Sequence, residues 1–286
     1  MANLWTPLYL PYGTLTNWYD STDTTTLTLS TNDTVVDWRD KSYKANNLSE
    51  ADFADLPTYG TTNINGLSTV NFALSSSINL DLAGQAPLND NYYIMYAGFN
   101  NTFASTCTKF NLVGNNGVDS VLIRCNSATI TQILFKVNSA IVLNMNITGV
   151  SNDNQTVIYS LDVVNDVATA NLNFTNTVSG TASLTVNSLT GLTLGATVGD
   201  SAGLNGQIGE FIIVQQDAIT LADKQKLEGY TAWKWGTQDL LPLNHPYAAL
   251  SGAPTVTDVE FRNKLYETST EEGSSRFRRL LALGYV

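Results

Sequence analysis

Between about residues 14 and 215 the chain is a series of short apolar runs separated by turn residues. Residues 24–30 (TTTLTLS) alternate small polar and apolar side chains with period two, the mark of a half-buried strand. Further strands are predicted at 35–38, 67–74 (LSTVNFAL), 92–99 (YYIMYAGF), 118–124 (VDSVLIR) and 130–137 (ITQILFKV). The series continues at 157–164 (VIYSLDVV), 171–175, 190–194 and 208–214 (GEFIIV and its flanks). Asn65-Gly66 and Asn115-Asn116-Gly117 supply the left-handed backbone that tight hairpin turns need. Many short strands without intervening helices predict an all-β protein, a two-sheet antiparallel sandwich or jelly roll, rather than a parallel α/β sheet. No internal repeat is present, which argues against a solenoid or propeller.

One segment changes period. Thr220 and Asp223 form a capping box ahead of LADKQKLEGYTAWKWG, and Gly236 supplies a left-handed stop. A single helix follows, with Leu221, Leu227, Tyr230 and Trp233 on one broad apolar face. At 100° per residue Trp233 and Trp235 point about 200° apart. Trp233 is therefore expected on the sandwich and Trp235 partly exposed. After residue 253 the character shifts again. Residues 1–253 read as one sandwich domain and 254–286 as a C-terminal arm. The arm holds Arg276, Phe277, Arg278, Arg279, Leu280, Leu281, Leu283 and Tyr285, too many apolar groups for a solvated tail. These residues are expected to carry assembly, either self-association or attachment to a partner.

Composition sharpens the class. Thr and Asn make up almost a quarter of the chain and charged residues only 14%, which suits pleated strands and turns rather than a helix bundle. The net charge is −11, and because 254–286 contain five basic and five acidic residues, 1–253 carry all of it. That sign disfavours nucleic acid and anionic lipid as partners. The opening MANLWTPLYLPYG has no basic n-region and two prolines, so no signal peptide is expected, and no apolar run is long enough for a spanning helix.

Candidate chemistry is sparse. Glu50, Asp52 and Asp55 lie in EADFAD, where carboxylates at i and i+2 of a strand could flank a glycosidic bond. Their flanks read as loop, so a solvated acidic loop is the better reading and no enzymatic activity is expected. His245 is the only histidine, stands before Pro246 with no nucleophile motif, and reads as structural. No cofactor is expected. Calcium is the one metal the turn aspartates Asp20, Asp23, Asp37, Asp40, Asp119, Asp153 and Asp200 could take, but EF-hand spacing is missing and Asx turns explain them. Cys107 and Cys125 could form one disulfide, although two buried free thiols suit their apolar stretches better. Trp18, Trp38, Trp233 and Trp235 could stack on sugars; as a set they fit core anchors better.

Several of these segments together resemble a concanavalin A-like (laminin-G-like) jelly-roll family found in bacteriophage and other virus virion proteins. The match opens with Trp18-Tyr19-Asp20-Ser21 and Val36-Asp37-Trp38-Arg39-Asp40-Lys41-Ser42, continues through Pro57-Thr58-Tyr59-Gly60 and Ile64-Asn65-Gly66, and is closest in residues 204–214 and 227–247. Tyr43 stands where the family has Gly, and nothing matches a glucanase carboxylate triplet. The resemblance implies a non-enzymatic structural protein on the virion exterior, made in the host cytoplasm: a capsid decoration, head-fibre or fibre component of a tailed phage. Its implied partners are capsid or other virion proteins and further copies of itself. The rival reading is a lectin-like module that binds host-surface glycans.

Overall fold

The computed structural model describes residues 4–50, 56–73, 78–82, 84–85, 88, 91–114, 118–149, 153–181, 189–197, 202–215, 219–248 and 252–257. In chain order the strands are β1 (Leu15–Asp20), β2 (Leu27–Leu29), β3 (Val35–Trp38), β4 (Leu48–Ser49), β5 (Thr58–Ile64), β6 (Leu67–Phe72), β7 (Leu80–Leu82), β8 (Tyr92–Asn100) and β9 (Cys107–Gly114). They continue as β10 (Ser120–Ser127), β11 (Ile130–Val137), β12 (Ala140–Thr148), β13 (Gln155–Val164), β14 (Val167–Leu172), β15 (Asn176–Thr181), β16 (Leu189–Leu194) and β17 (Gly206–Gln215), and helix α1 (Leu221–Lys234) follows. All pairings are antiparallel and form two sheets. The eight-stranded sheet runs β15-β14-β13-β8-β17-β6-β5, with β1 also on β17; the nine-stranded sheet runs β12-β11-β10-β9-β16-β7-β4-β3-β2. The expected two-sheet sandwich is therefore present.

The alternation of the strands decides where each side chain goes. Val121, Ile123 and Cys125 of β10, Ile133 and Phe135 of β11, and Ile94, Tyr96, Phe211 and Ile213 of the other sheet fill the space between the sheets. Asn65 and Gly66 both take positive φ at the β5–β6 hairpin, as the sequence predicts, and the pairs Asn138-Ser139 and Asn165-Asp166 do the same at two further hairpins. Residues 24–26 depart from the expected strand: Asp23 accepts the Thr25 N–H and starts a 3-10 turn, and β2 begins only at Leu27.

A second core lies outside the eight-stranded sheet. There Leu227 of α1 and Trp235 at its C-cap, with Trp5, Leu8 and Leu10 of the N-terminal segment, cover Trp18, Tyr93, Met95, Ile158 and Ile212. The capping box forms as predicted, with Thr220 Oγ1 accepting the Asp223 N–H and Asp223 accepting the Thr220 N–H. The expected apolar face is corrected. Leu221 is 71% exposed, Trp233 is half-buried, and Trp235 is the residue sealed against the sheet. The reason is Gly209 of β17: a Cβ there would sit 2.4 Å from the Trp235 ring, so the missing side chain makes the slot the indole fills. Pro254 and Thr255 pair with Trp5 and Leu4, so the first residues of the 254–286 segment are tied to the N-terminal segment.

Candidate functional site

The recurring tryptophan, aspartate and lysine positions of the sequence meet in one buried network under α1. Glu210 accepts hydrogen bonds from Trp18 Nε1 (2.6 Å), Trp235 Nε1 (2.9 Å) and Tyr230 OH (2.8 Å). Asp20 pairs with Lys234 (2.6 Å) and Lys41 (2.9 Å), and Lys41 also reaches Asp23 (3.0 Å) and lies 4.2 Å above the Trp18 ring. Burial pushes the Asp20 carboxyl upward, but Lys234 and Lys41 outweigh it and hold the group below the ordinary carboxylate range. Asp40 is raised by burial, against hydrogen bonds from Ser42, Trp18 and Asn46. Every charge here has a protein partner, so the network clamps β1, the loop after β3, β17 and α1 together.

His245 belongs to the same structural class. Its Nε2 lies 3.1 Å from Glu228 Oε2, and its Nδ1 accepts the Tyr247 N–H. Cys107 and Cys125 are free, buried and directly opposite each other on β9 and β10. The Cys125 thiol and the buried Lys109 hold Cys107 below its ordinary value. Lys109 Nζ donates to Asn100 Oδ1 and sits 3.5 Å from Cys107 Sγ. Among the described residues no group of His, Cys, Asp or Glu is placed to hold a metal ion. Residues 51–55, and with them Asp52 and Asp55, lie outside the described residues, as do all the arm residues expected to carry assembly, Arg276 to Tyr285.

Two depressions bear on function among the described residues. One, of about 520 Å³, lies at the end of α1 and is walled by Trp5, Tyr230, Trp233 and Pro254, with Asp20 and Lys234 already paired to each other. The other, of about 420 Å³, lies on the outer face of the nine-stranded sheet and is lined by Asn111, Val113, Ser120, Leu122, Arg124 and Lys136, with Thr106, Val118, Ser139, Thr197 and Ala202 at its rim. Its floor follows from strand alternation: with Val121, Ile123 and Cys125 turned inward, Ser120, Leu122 and Arg124 must face out. Register places Asn111, Leu122, Leu134 and Asn144 in one cross-strand row and Thr108, Arg124, Gln132 and Asn146 in another.

This second depression is built differently. Arg124 Nε donates to Gln132 Oε1 at 2.7 Å, and Gln132 Nε2 in turn donates to Asn144 Oδ1 (3.0 Å) and Asn146 Oδ1 (3.3 Å). The guanidinium is thus aimed by a three-strand relay while both Nη groups donate to no described protein acceptor. Partial burial lowers its pKa from the ordinary arginine value, and it stays a cation. Asn111 is buried, and its Oδ1 accepts no hydrogen bond among the described residues. That oxygen is closed to solvent, so a ligand hydroxyl meets it only when the side chain turns into the depression. None of these residues stood out as candidates in the sequence.

No family model and no curated protein sequence matches the chain. Among solved structures, Trypanosoma rangeli sialidase is similar with a TM-score of 0.52 at 9% identity, over 78% of this chain and 34% of that one. Domain 4 of AbnA, a GH43 extracellular arabinanase from Geobacillus stearothermophilus, in complex with arabinotriose, gives a TM-score of 0.48 at 15% identity, over 73% of this chain and 95% of that one. Ruminococcus gnavus IT-sialidase CBM40 bound to α2,3 sialyllactose gives 0.40 at 8% identity, over 51% of this chain and 92% of that one. At these identities the likeness is one of fold. The protein has a two-sheet antiparallel β-sandwich.

Proposed function

We propose that this protein is a carbohydrate-binding module and that its binding face is the outer surface of β9, β10 and β11. The observation that carries the reading is the relayed Arg124, whose Nη groups meet no described protein acceptor, in a surface depression that it shares with Lys136 and Asn111. Sugars present rings of hydroxyls that both donate and accept, and Asn111, Ser120 and the amide relay supply complementary groups at fixed positions. No catalytic role is part of the proposal. A panel of neutral and charged oligosaccharides presented to the full chain tests it. Retention of at least one sugar, weakened about tenfold or more by Asn111→Ala at unchanged melting temperature, supports the reading. Retention of none overturns it.

A virion component is the second reading, and the motifs at residues 18–21, 36–42 and 227–247 are what favour it. Most of their distinctive side chains sit in the buried clamp described above, where they specify the fold rather than a partner. Localisation on a virion exterior, self-association and attachment through residues 254–286 therefore stand as proposals. Sedimentation of the full and truncated chains with and without phage capsids decides between attachment through the arm and no attachment.

A further inference from the structure

The same depression carries information about which glycans it takes. Residues 1–253 hold nine basic side chains against twenty acidic ones. Two of those nine, Arg124 and Lys136, line this one depression, and among the described residues no carboxylate lines it. Neither cation forms an ion pair there, whereas Lys41, Lys224 and Lys234 all do. Asp119, next to the rim residue Val118, is buried and accepts the Asn138 N–H at 2.6 Å.

Geometry extends the point. Lys136 pairs with Ser120, and Arg124 with Gln132, four residues away along each strand. At a rise of about 3.4 Å per residue and a strand spacing of about 4.8 Å, the two cations therefore start ~14 Å apart at the backbone, with Leu122 on the floor between them. Arg124 is committed through Nε to Gln132, which leaves its Nη pair as a planar fork suited to a carboxylate or sulfate. Lys136 offers a second, mobile charge at the opposite end.

Resting on the glycan-binding reading of this face, we infer that the ligand is an anionic oligosaccharide whose acidic group docks on Arg124, with sugar hydroxyls on Asn111 and Ser120 and a further negative or polar group on Lys136. Two cations without a carboxylate beside them favour acidic sugars over neutral ones through a charge-assisted contact that acts locally, within about a Debye length of the site, against the repulsion of the acidic body.

Titration of the full chain with trigalacturonate and sialyllactose, against maltotriose and lactose, tests the inference at low and high salt. The expected result is acidic-sugar binding at least tenfold tighter than neutral, weakened by salt, and lost about 10- to 100-fold in Arg124→Ala and less in Lys136→Ala, the scale of one charge-assisted contact. Arg124→Gln at unchanged melting temperature controls for folding, and Gln132→Leu, which frees the guanidinium to wander, should weaken binding while keeping its salt dependence. Equal affinity for neutral and acidic sugars, each sensitive to Asn111→Ala, overturns the anionic inference and leaves the glycan reading standing. Acidic-sugar binding indifferent to both cation variants overturns the site. Binding of no sugar overturns both.

Discussion

The outer faces of the two sheets start from the same backbone pattern and end in opposite states. Outside the eight-stranded sheet, α1 and the N-terminal segment bury Trp18, Tyr93 and Ile212, and the buried carboxylates are answered by the protein itself: Asp20 by Lys41 and Lys234, Glu210 by Lys234 and three N–H or O–H donors, and Asp40 by hydrogen bonds from Ser42, Trp18 and Asn46. Outside β9–β11 no helix lies over the sheet among the described residues, and Arg124 and Lys136 have no carboxylate partner. A polar group satisfied by its own protein holds the fold. A cation held in place and left without a counter-charge is available to something else.

If the covered face is structural, breaking its charges must cost stability. Asp20→Ala leaves Lys41 with Asp23 and Lys234 with Glu210 as their remaining carboxylates and should remove about 3 kcal/mol in denaturant unfolding. Trp235→Ala empties the slot over Gly209 and should cost a similar 3–5 kcal/mol, while Trp233→Ala, half-buried at the rim, should cost clearly less. Equal losses would mean that α1 does not pack through Trp235.

Acid should separate two buried carboxylates of the clamp. Asp20 is lowered in the folded state, so its stabilisation is complete above the unfolded value near 4 and is lost as pH falls towards its folded value. Asp40 is raised, so its contribution is complete below the unfolded value and is lost as pH rises through the folded one. Melting curves between about pH 2 and 6 should therefore lose part of their acid decline in Asp20→Asn and show a steeper decline in Asp40→Asn. On the open face, Arg124→Ala and Lys136→Ala should each shift stability by no more than about 0.5 kcal/mol. A larger loss from Lys136→Ala would make that lysine a structural group and narrow the contrast.

How far the sequence foretold this depended on what each residue needed from elsewhere. Residues 130–137 alternate cleanly, and β11 spans the same residues. β9 escaped because Thr108, Lys109 and Asn111 interrupt the pattern and a register shift lies between the Cys125–Cys107 end and Phe110. The helix and its cap were legible from local chemistry. Which tryptophan it buries was not, because that is set by Gly209, 26 residues earlier in the chain; the glycine in IGEF was the available signal. The candidate site was missed although Arg124 and Lys136 were in plain view. Both lie at polar positions of consecutive predicted strands, but only cross-strand register shows that they share a face.

The most direct measurement is hydrogen exchange of the full chain with and without a saturating acidic oligosaccharide. The account predicts slowed exchange confined to β9, β10, β11 and their rim, with α1 and the 18–21 segment unchanged. Protection centred on α1 and the Trp233 groove, or no protection anywhere, would contradict it.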